Sequence, residues 1–176
     1  MPLTSDICEY DPQWPAIFEA ERTQIQKKIG DCILAIHHVG STAIPGMKAK
    51  PEIDLLIIAT NIADIDMIHS AMAELGYDVR GEEGIKGRFY YSKNTRSIRT
   101  HKAHVCEKSH VNVCQQIVFR DYMRDHHEDA RRYGELKIRL AEINTKGMAE
   151  YLDGKKDFIE RIIETALDKG YGKEIS

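Results

Sequence analysis

A nearly unbroken apolar run, Ile53 to Ala59, constrains the fold of this chain more than any other segment. A strand that is apolar on both of its faces belongs in the interior of a sheet. Its single acid, Asp54, stands at the head of the run, where a buried carboxylate is costly without a compensating partner. The run therefore predicts an interior strand whose one carboxylate meets a metal, a cation or a water-lined cleft.

Glu52 stands two residues before Asp54. Because side chains on a strand repeat every two residues, the two carboxylates are expected to leave the sheet on the same face. Magnesium prefers hard oxygen ligands and is usually shared between one or two carboxylates and the phosphates of a substrate. The pair is therefore a candidate clamp for Mg2+ or Mn2+. Glu52 follows a proline at the strand edge, so a solvent-exposed position is its alternative interpretation.

The loop before this strand contains a glycine-serine turn at Gly40 and Ser41. Small residues let backbone N–H groups approach a phosphate closely, and a serine hydroxyl adds one more hydrogen bond. An ordinary turn is the alternative, and the loop is not a P-loop because no GKS or GKT follows at the required spacing. Lys48 and Lys50 in the same loop either balance the charge of a triphosphate or solvate a long connection.

Composition and charge exclude several classes of protein. With 176 residues, 42% of them hydrophobic, the chain can bury a core as one domain, or as one domain with a small appendage. A formal net charge of -3 argues against a dedicated duplex-DNA binder, which would need a basic face. No segment has the length and apolarity of a membrane span or an export signal, so we expect a cytoplasmic protein whose four cysteines are free thiols.

The order of helix and strand signals predicts an α+β protein: a mixed β-sheet with helices packed on one face, followed by a helical C-terminal part. Asp11 and Pro12 are expected to open the first helix, as its N-cap and its first helical residue. We expect a core over residues 1–110 and a helical part over residues 111–176, packed as one compact unit. The first helix is predicted to end near Lys28 and the others to cover Ile62–Leu75, 112–126, 128–144 and 147–168, with strands at Ile33–Val39, Ile53–Ala59, Tyr77–Arg80, Arg88–Ser92 and Thr100–Glu107.

Three histidines and a cysteine between residues 101 and 110 suggest a zinc site, but their spacing argues against one. On a strand, His101 and His104 point to opposite faces. The apolar residues at positions 103 and 105 mark the packed face, so His104 is expected to share the open face with Asp54. A polar residue in a cleft is the preferred interpretation of His104.

Basic residues on the predicted C-terminal helices have two interpretations. Arg120 and Arg124, four residues apart, share one helical face, and Lys137 lies with other basic residues on the next helix. Such faces are usually solvated. The alternative is a convergent basic wall around a triphosphate, because guanidinium groups suit phosphate oxygens.

Five separated segments resemble the GrpB family, in the same order and across nearly all 176 residues. They are YDPQWPAIFEAE, HHVGSTAIPGMKAKPEIDLLI, RTHKAHVC, VFRDYMRDHHEDARRYGELKIRLAE and YLDGKKDFIERIIETA. The family is similar to nucleotidyltransferases of the polymerase-beta type, in which a glycine-serine turn precedes an acidic pair on the next strand and a third acid lies on a neighbouring strand. Related domains also occur fused to dephospho-coenzyme A kinases.

The resemblance implies a nucleotidyltransferase-like sheet, with Gly40 and Ser41 at the phosphate turn and Glu52 and Asp54 as metal ligands. One departure concerns Glu52, where relatives are expected to carry an apolar residue more often. Another concerns the third acid, because the strand after Arg99 offers histidines and no aspartate. Histidine could serve there as a base or a ligand, or could mark a site that binds nucleotide without transferring it.

The leading hypothesis is a magnesium-dependent nucleotidyltransferase that moves a nucleoside monophosphate from a triphosphate to an unidentified small acceptor. Catalysis would rest on in-line geometry and charge neutralisation, with the metal on Glu52 and Asp54 and with His104 near the acceptor. The alternatives are a nucleotide-binding or scaffold domain with a decayed site, and a metal-dependent hydrolase that uses the histidines. The residues predicted to bind phosphate or nucleotide are Gly40, Ser41, Thr42, Lys48, Lys50, Arg99, His101, Arg120, Arg124 and Lys137.

Overall fold

Five strands form one mixed sheet in the computed structural model, which describes residues 6–173. The strands are β1 (Ile33–Val39), β2 (Ile53–Ala59), β3 (Asp78–Gly81), β4 (Arg88–Thr95) and β5 (Ile98–Glu107). The α-helices are α1 (Trp14–Ile29), α2 (Ile65–Glu74), α3 (Val111–Asp125), α4 (His127–Ile143) and α5 (Met148–Asp168). The strand order is β1-β2-β5-β4-β3, with β2 and β5 parallel and the other neighbours antiparallel. The predicted α+β class and the interior position of β2 are confirmed.

Helices α1 and α2 cover one face of the sheet. Leu55 and Ile57 of β2, with Ala103 and Val105 of β5, are fully buried beneath them. Each large aliphatic side chain buried in this way contributes about 1.5–3 kcal/mol to folding. Alternation along β2 therefore commits the odd-numbered residues to this core and turns the even-numbered ones to the opposite face.

The opposite face of the sheet meets the C-terminal helices. Leu56 of β2 and Cys106 of β5 pack there against Val113 of α3. Helices α3, α4 and α5 share another apolar cluster, which includes Ile44 and Met47 from the loop between β1 and β2. This packing holds that loop between the sheet and the helices.

The first helix begins later than predicted. Asp11 does not cap it; the Asp11 carboxylate accepts a hydrogen bond from the Gln13 N–H at 2.8 Å, and its carbonyl accepts one from the Trp14 N–H at 3.1 Å. Residues 11–13 thus form a turn, and Pro15, not Pro12, stands in the first helical turn.

Other boundaries differ by a few residues. The predicted start of the second helix, Ile62, lies in a short 3-10 turn that Asn61 caps by accepting from the Ala63 N–H. That helix ends before Gly76, whose φ of +86° suits a glycine at a helix end. The predicted boundary between the core and the helical C-terminal part, at 110/111, falls between β5 and α3. Among the helices of residues 6–173, none combines the length and apolarity that crossing a membrane requires.

Candidate functional site

A cavity of about 340 Å³ lies between the C-terminal helices and the face of β2 and β5 that is turned towards them. Its size is within the range usual for small-molecule sites. Aromatic rings of three helices, Phe119, Tyr133 and Tyr151, form part of its wall. Among the described residues, five basic side chains and two carboxylates line it: Lys50, Arg99, Lys102, Lys137, Lys155, Glu52 and Asp54.

The two carboxylates reach the cavity from the beginning of β2, and both are paired with cations of β5. Asp54 lies beside Lys102 in the parallel register, and the Lys102 ammonium is 2.9 Å from Asp54 Oδ1. The same ammonium is 3.7 Å from Glu52 Oε2. Arg99 Nε donates to Glu52 Oε2 at 3.0 Å and Nη2 donates to Oε1 at 3.4 Å. Since the Glu52 side chain is only 4% exposed, the solvent-exposed interpretation of Glu52 is wrong.

Lys102 is held as an ammonium by this pair. Burial alone would lower its pKa, but the neighbouring charges of Asp54 and Glu52 outweigh burial and raise the pKa above the ordinary value. A positive charge therefore lies between the two carboxylates at neutral pH.

The residues as arranged do not fit a magnesium ion. The position between Glu52 and Asp54 belongs to the Lys102 ammonium. On the other side of the Asp54 carboxylate, the backbone of Gly40 comes so close that a Cβ on this glycine would lie 2.3 Å from Asp54 Oδ2. Throughout residues 6–173, His, Cys, Asp and Glu side chains form no group of three or more that could hold a metal. Magnesium at Glu52 and Asp54 stays a prediction from the sequence.

Lys137 of α4 brings a second cation to the glycine-serine turn. Its ammonium donates to Ser41 Oγ at 2.9 Å and to the Lys48 carbonyl at 2.5 Å, and it lies 4.9 Å from the centre of the Tyr133 ring. Burial, together with the nearby charge of Lys155, lowers the pKa of Lys137 to about 7. The side chain is thus a buried cation whose proton is only loosely held.

Lys155 of α5 completes the cationic wall and repeats this geometry. Its ammonium lies 4.4 Å from the centre of the Tyr151 ring. Burial and the charge of Lys102 lower its pKa to about 8. The ion pairs of residues 6–173 include neither Lys137 nor Lys155, and a buried ammonium without a counter-charge is costly. Both lysines would be stabilised by an anion in the cavity.

His104 lies on the cavity side of β5, as the alternation of that strand predicts. Its ring stacks on Tyr90 with centroids 5.3 Å apart. Burial, and then the charges of Arg88 and Lys102, lower the pKa of His104 to about 3, so the ring is neutral at neutral pH. Within the described chain its Nδ1 has no hydrogen-bond partner.

The GrpB family model matches residues 4–165. The chain belongs to the GrpB family. It is 37% identical over 161 residues to UPF0157 protein YqkA of Bacillus subtilis (strain 168), and this match covers 92% of the chain but only 47% of that protein. The crystal structure of conserved protein GrpB from Enterococcus faecalis is similar at a TM-score of 0.86 and 33% identity, over 93% of this chain and 98% of that one.

The fold of this GrpB-family chain is also that of nucleotidyltransferases. The structure of the GLD-2/RNP-8 complex is similar at a TM-score of 0.58 and 12% identity, over 96% of this chain and 68% of that one. Terminal uridylyl transferase 4 from Trypanosoma brucei with bound CTP is similar at 0.50 and 8% identity, over 95% of this chain and 52% of that one. At such low identities the likeness concerns the fold alone.

Nine of the predicted site residues of this GrpB-family chain line the cavity together. They are Gly40, Ser41, Thr42, Lys50, Glu52, Asp54, Arg99, His104 and Lys137. The Thr42 hydroxyl is engaged within the protein, where it donates to the Glu52 carbonyl at 3.2 Å and lies 3.0 Å from His38 Nε2.

Four predicted residues lie elsewhere. His101 is on the face covered by α1 and α2, beside Tyr77, because it stands three positions before His104 on the same strand. Arg120 and Arg124 point from α3 to backbone carbonyls, those of His38 at 3.1 Å and Ala43 at 2.9 Å, and so brace the loop from outside the cavity. The fourth residue, Lys48, contributes its carbonyl to the bond with Lys137, while its ammonium pairs with Glu9 at the surface.

Sequence reasoning missed Lys102, Lys155 and the two tyrosines as parts of this site. Lys102 is two residues before His104, so its place on the open face was available from strand alternation. The tyrosines carry a weaker signal, because Tyr133 precedes Lys137 by four residues and Tyr151 precedes Lys155 by four. At that helical spacing each ring lies next to the ammonium that follows it.

Proposed function

We propose that the cavity binds a nucleoside triphosphate, with the phosphates at the cationic wall and the base against the aromatic side. The observation that carries the proposal is the excess of basic over acidic side chains around a glycine-serine turn, with Lys137 already bonded to Ser41. Lysine ammonium groups and backbone amides at a strand-to-loop turn are common ligands of phosphate. The rings of Tyr133 and Tyr151 offer stacking surfaces next to these ammonium groups.

Nucleotidyl transfer is a second candidate, favoured by the shared fold. The terminal uridylyl transferase that shares the fold was solved with bound CTP. Transfer here would move a nucleoside monophosphate to an unidentified small acceptor and release pyrophosphate. In this candidate Glu52 and Asp54 lie near the reacting phosphate, while neutral His104 lies near the acceptor. Lys50 and Arg99 would add positive charge around the triphosphate.

Binding is tested by thermal unfolding with each of the four nucleoside triphosphates. A ligand at 100 times its dissociation constant stabilises the folded protein by about 2.7 kcal/mol. We expect one or more triphosphates to raise the melting temperature, and Lys137→Met to abolish the increase. Lys156→Met is the matched control, because Lys156 is on the same C-terminal part but its side chain is 64% exposed. No stabilisation by any triphosphate, at any metal concentration, would refute nucleotide binding.

Transfer is tested separately by release of pyrophosphate from the triphosphate that binds, across a panel of small hydroxyl and amine acceptors. Release that Asp54→Asn abolishes supports the transferase. Binding without release under every acceptor supports the alternative, a nucleotide-binding or scaffold domain. A hydrolase that uses the histidines has no structural support, because His101 and His104 lie on opposite faces of the sheet.

A further inference from the structure

The position between Glu52 and Asp54 carries a further inference, which rests on the proposed nucleotide binding. Lys102 is beside Asp54 in the register of β2 and β5, so its side chain leaves the sheet next to that carboxylate. Its ammonium contacts Asp54 Oδ1 at 2.9 Å and approaches Glu52 Oε2 at 3.7 Å. This is the place where a divalent cation shared by the two carboxylates would have to lie.

Three of the four oxygens of the carboxylate pair contact a cation, and the fourth is close to the backbone. Arg99 reaches both oxygens of Glu52, at 3.0 and 3.4 Å, and Lys102 binds one oxygen of Asp54. The remaining oxygen of Asp54 is against the backbone at Gly40, where there is no room for a Cβ. A divalent ion bound to Asp54 would have to push the Lys102 ammonium aside. The ion and the ammonium would remain close neighbours, and two positive charges so close together repel each other strongly.

Charge balance leads to the same conclusion. Lys102 and Arg99 neutralise the two carboxylates, so Lys50, Lys137 and Lys155 add further positive charge to the wall of the cavity. These three further basic groups offset most of the negative charge that a triphosphate brings when no metal accompanies it. The cavity therefore supplies, from its own side chains, most of the positive charge that a divalent ion would otherwise bring to the ligand.

We propose that the Lys102 ammonium takes the place of the divalent cation in this site, so that the cavity binds the nucleoside triphosphate free of metal. Lys102 then does part of what a bound ion would do: together with Arg99 it neutralises Asp54 and Glu52, and it presents positive charge to the phosphates.

The first test compares nucleotide binding by the wild-type protein in excess EDTA and in excess magnesium, measured by titration calorimetry. We expect binding in EDTA to be at least as tight as binding in magnesium. Binding that requires magnesium or manganese would overturn this inference and leave nucleotide binding intact. Absence of binding under both conditions would instead refute the proposed function itself, so the two failures are distinguishable.

The second test measures metal binding directly, with manganese followed by electron paramagnetic resonance in the absence of nucleotide. Lys102→Asp places a third carboxylate beside Asp54 and removes the ammonium, so we expect it to bind manganese, whereas the wild type and Lys102→Arg do not. Manganese bound by the wild type and lost in Asp54→Asn would overturn the inference.

A third variant keeps the inference testable if Lys102→Asp does not fold. Lys102→Met keeps an unbranched side chain that is one atom shorter, and it removes the charge. We expect this variant to lose nucleotide affinity in EDTA and to recover part of it in magnesium. Unchanged affinity of Lys102→Met in EDTA would show that the ammonium does not face the ligand, and would overturn the inference.

Discussion

Raising the pH from 6 to 8 should weaken nucleotide binding through Lys137. Burial lowers the pKa of this lysine to about 7 in the protein without ligand. A polyphosphate beside Ser41 would stabilise the ammonium form and raise that pKa, so binding takes up a proton whenever the free protein has lost it. The affinity for the nucleotide is therefore highest well below pH 7, and it falls as the pH rises above 7.

The size of the effect follows from the pKa. Lys137 is about 90% protonated at pH 6 and about 10% protonated at pH 8, so the affinity should fall about tenfold, or about 1.4 kcal/mol. The phosphates of the ligand also titrate in this range. Lys137→Arg supplies the control, because its guanidinium stays charged throughout and the titrations of the ligand and of Lys155 remain in both proteins.

The assay is calorimetric titration at pH 6, 7 and 8, repeated at pH 8 in two buffers of different ionisation enthalpy to count protons. Lys155, with a pKa of about 8, adds to the uptake at the upper end of this range. The reasoning is refuted if the ratio of wild-type to Lys137→Arg affinity is the same at pH 6 and pH 8. Without ligand the sign reverses. A lysine in the unfolded chain has a pKa near 10.4 and keeps its proton up to that pH. Stability should therefore rise from pH 7 towards pH 10 in the wild type, and rise less in Lys137→Met, where only Lys155 contributes.

Three further predictions concern the architecture of the site. Glu52→Ala should lower the free energy of unfolding, measured by urea denaturation, by about 3–5 kcal/mol, because it leaves the half-buried Arg99 without its counter-ion. A loss below about 1 kcal/mol would show that water replaces the ion pair. Gly40→Ala should destabilise the protein more than Gly46→Ala. Both glycines have φ near +70°, but only at Gly40 would an added Cβ lie 2.3 Å from a carboxylate. Equal losses of unfolding free energy would show that backbone strain alone is responsible. The ring of His104 should show no NMR titration between pH 5 and 8, because burial lowers its pKa to about 3, and a midpoint near pH 6 would contradict the burial.

Local patterns in the chain were enough to predict the strands, the order of elements along the chain and one side of the site. The apolar run of β2 placed that strand inside the sheet, because a strand covered on both faces needs apolar side chains on both. Alternation along β5 put His104 on the face shared with Asp54 and assigned His101 to the other face. Including His101 among the phosphate ligands went against that same alternation, and the structure places it among the packed residues.

Helical periodicity predicted the three C-terminal helices but not which of their basic residues reach the cavity. Arg120, Arg124 and Lys137 all stood on plausible faces, and only Lys137 points inward. A helix can be rotated and shifted against a sheet without any change in its own hydrophobic pattern, so its sequence does not determine which residue meets a distant loop. The packing of α3 and α4 around Ile44 and Met47 determines it here.

The sequence by itself determined that Asp54 would need a partner, because a carboxylate at the head of a buried strand cannot be left without one. Only the tertiary structure decided that the partner is Lys102. That choice depends on the parallel pairing of β2 with β5, which sets residue 54 beside residue 102 across nearly fifty positions of chain. Pairing between distant strands is decided by the burial of the whole sheet, and no local pattern around Asp54 records it.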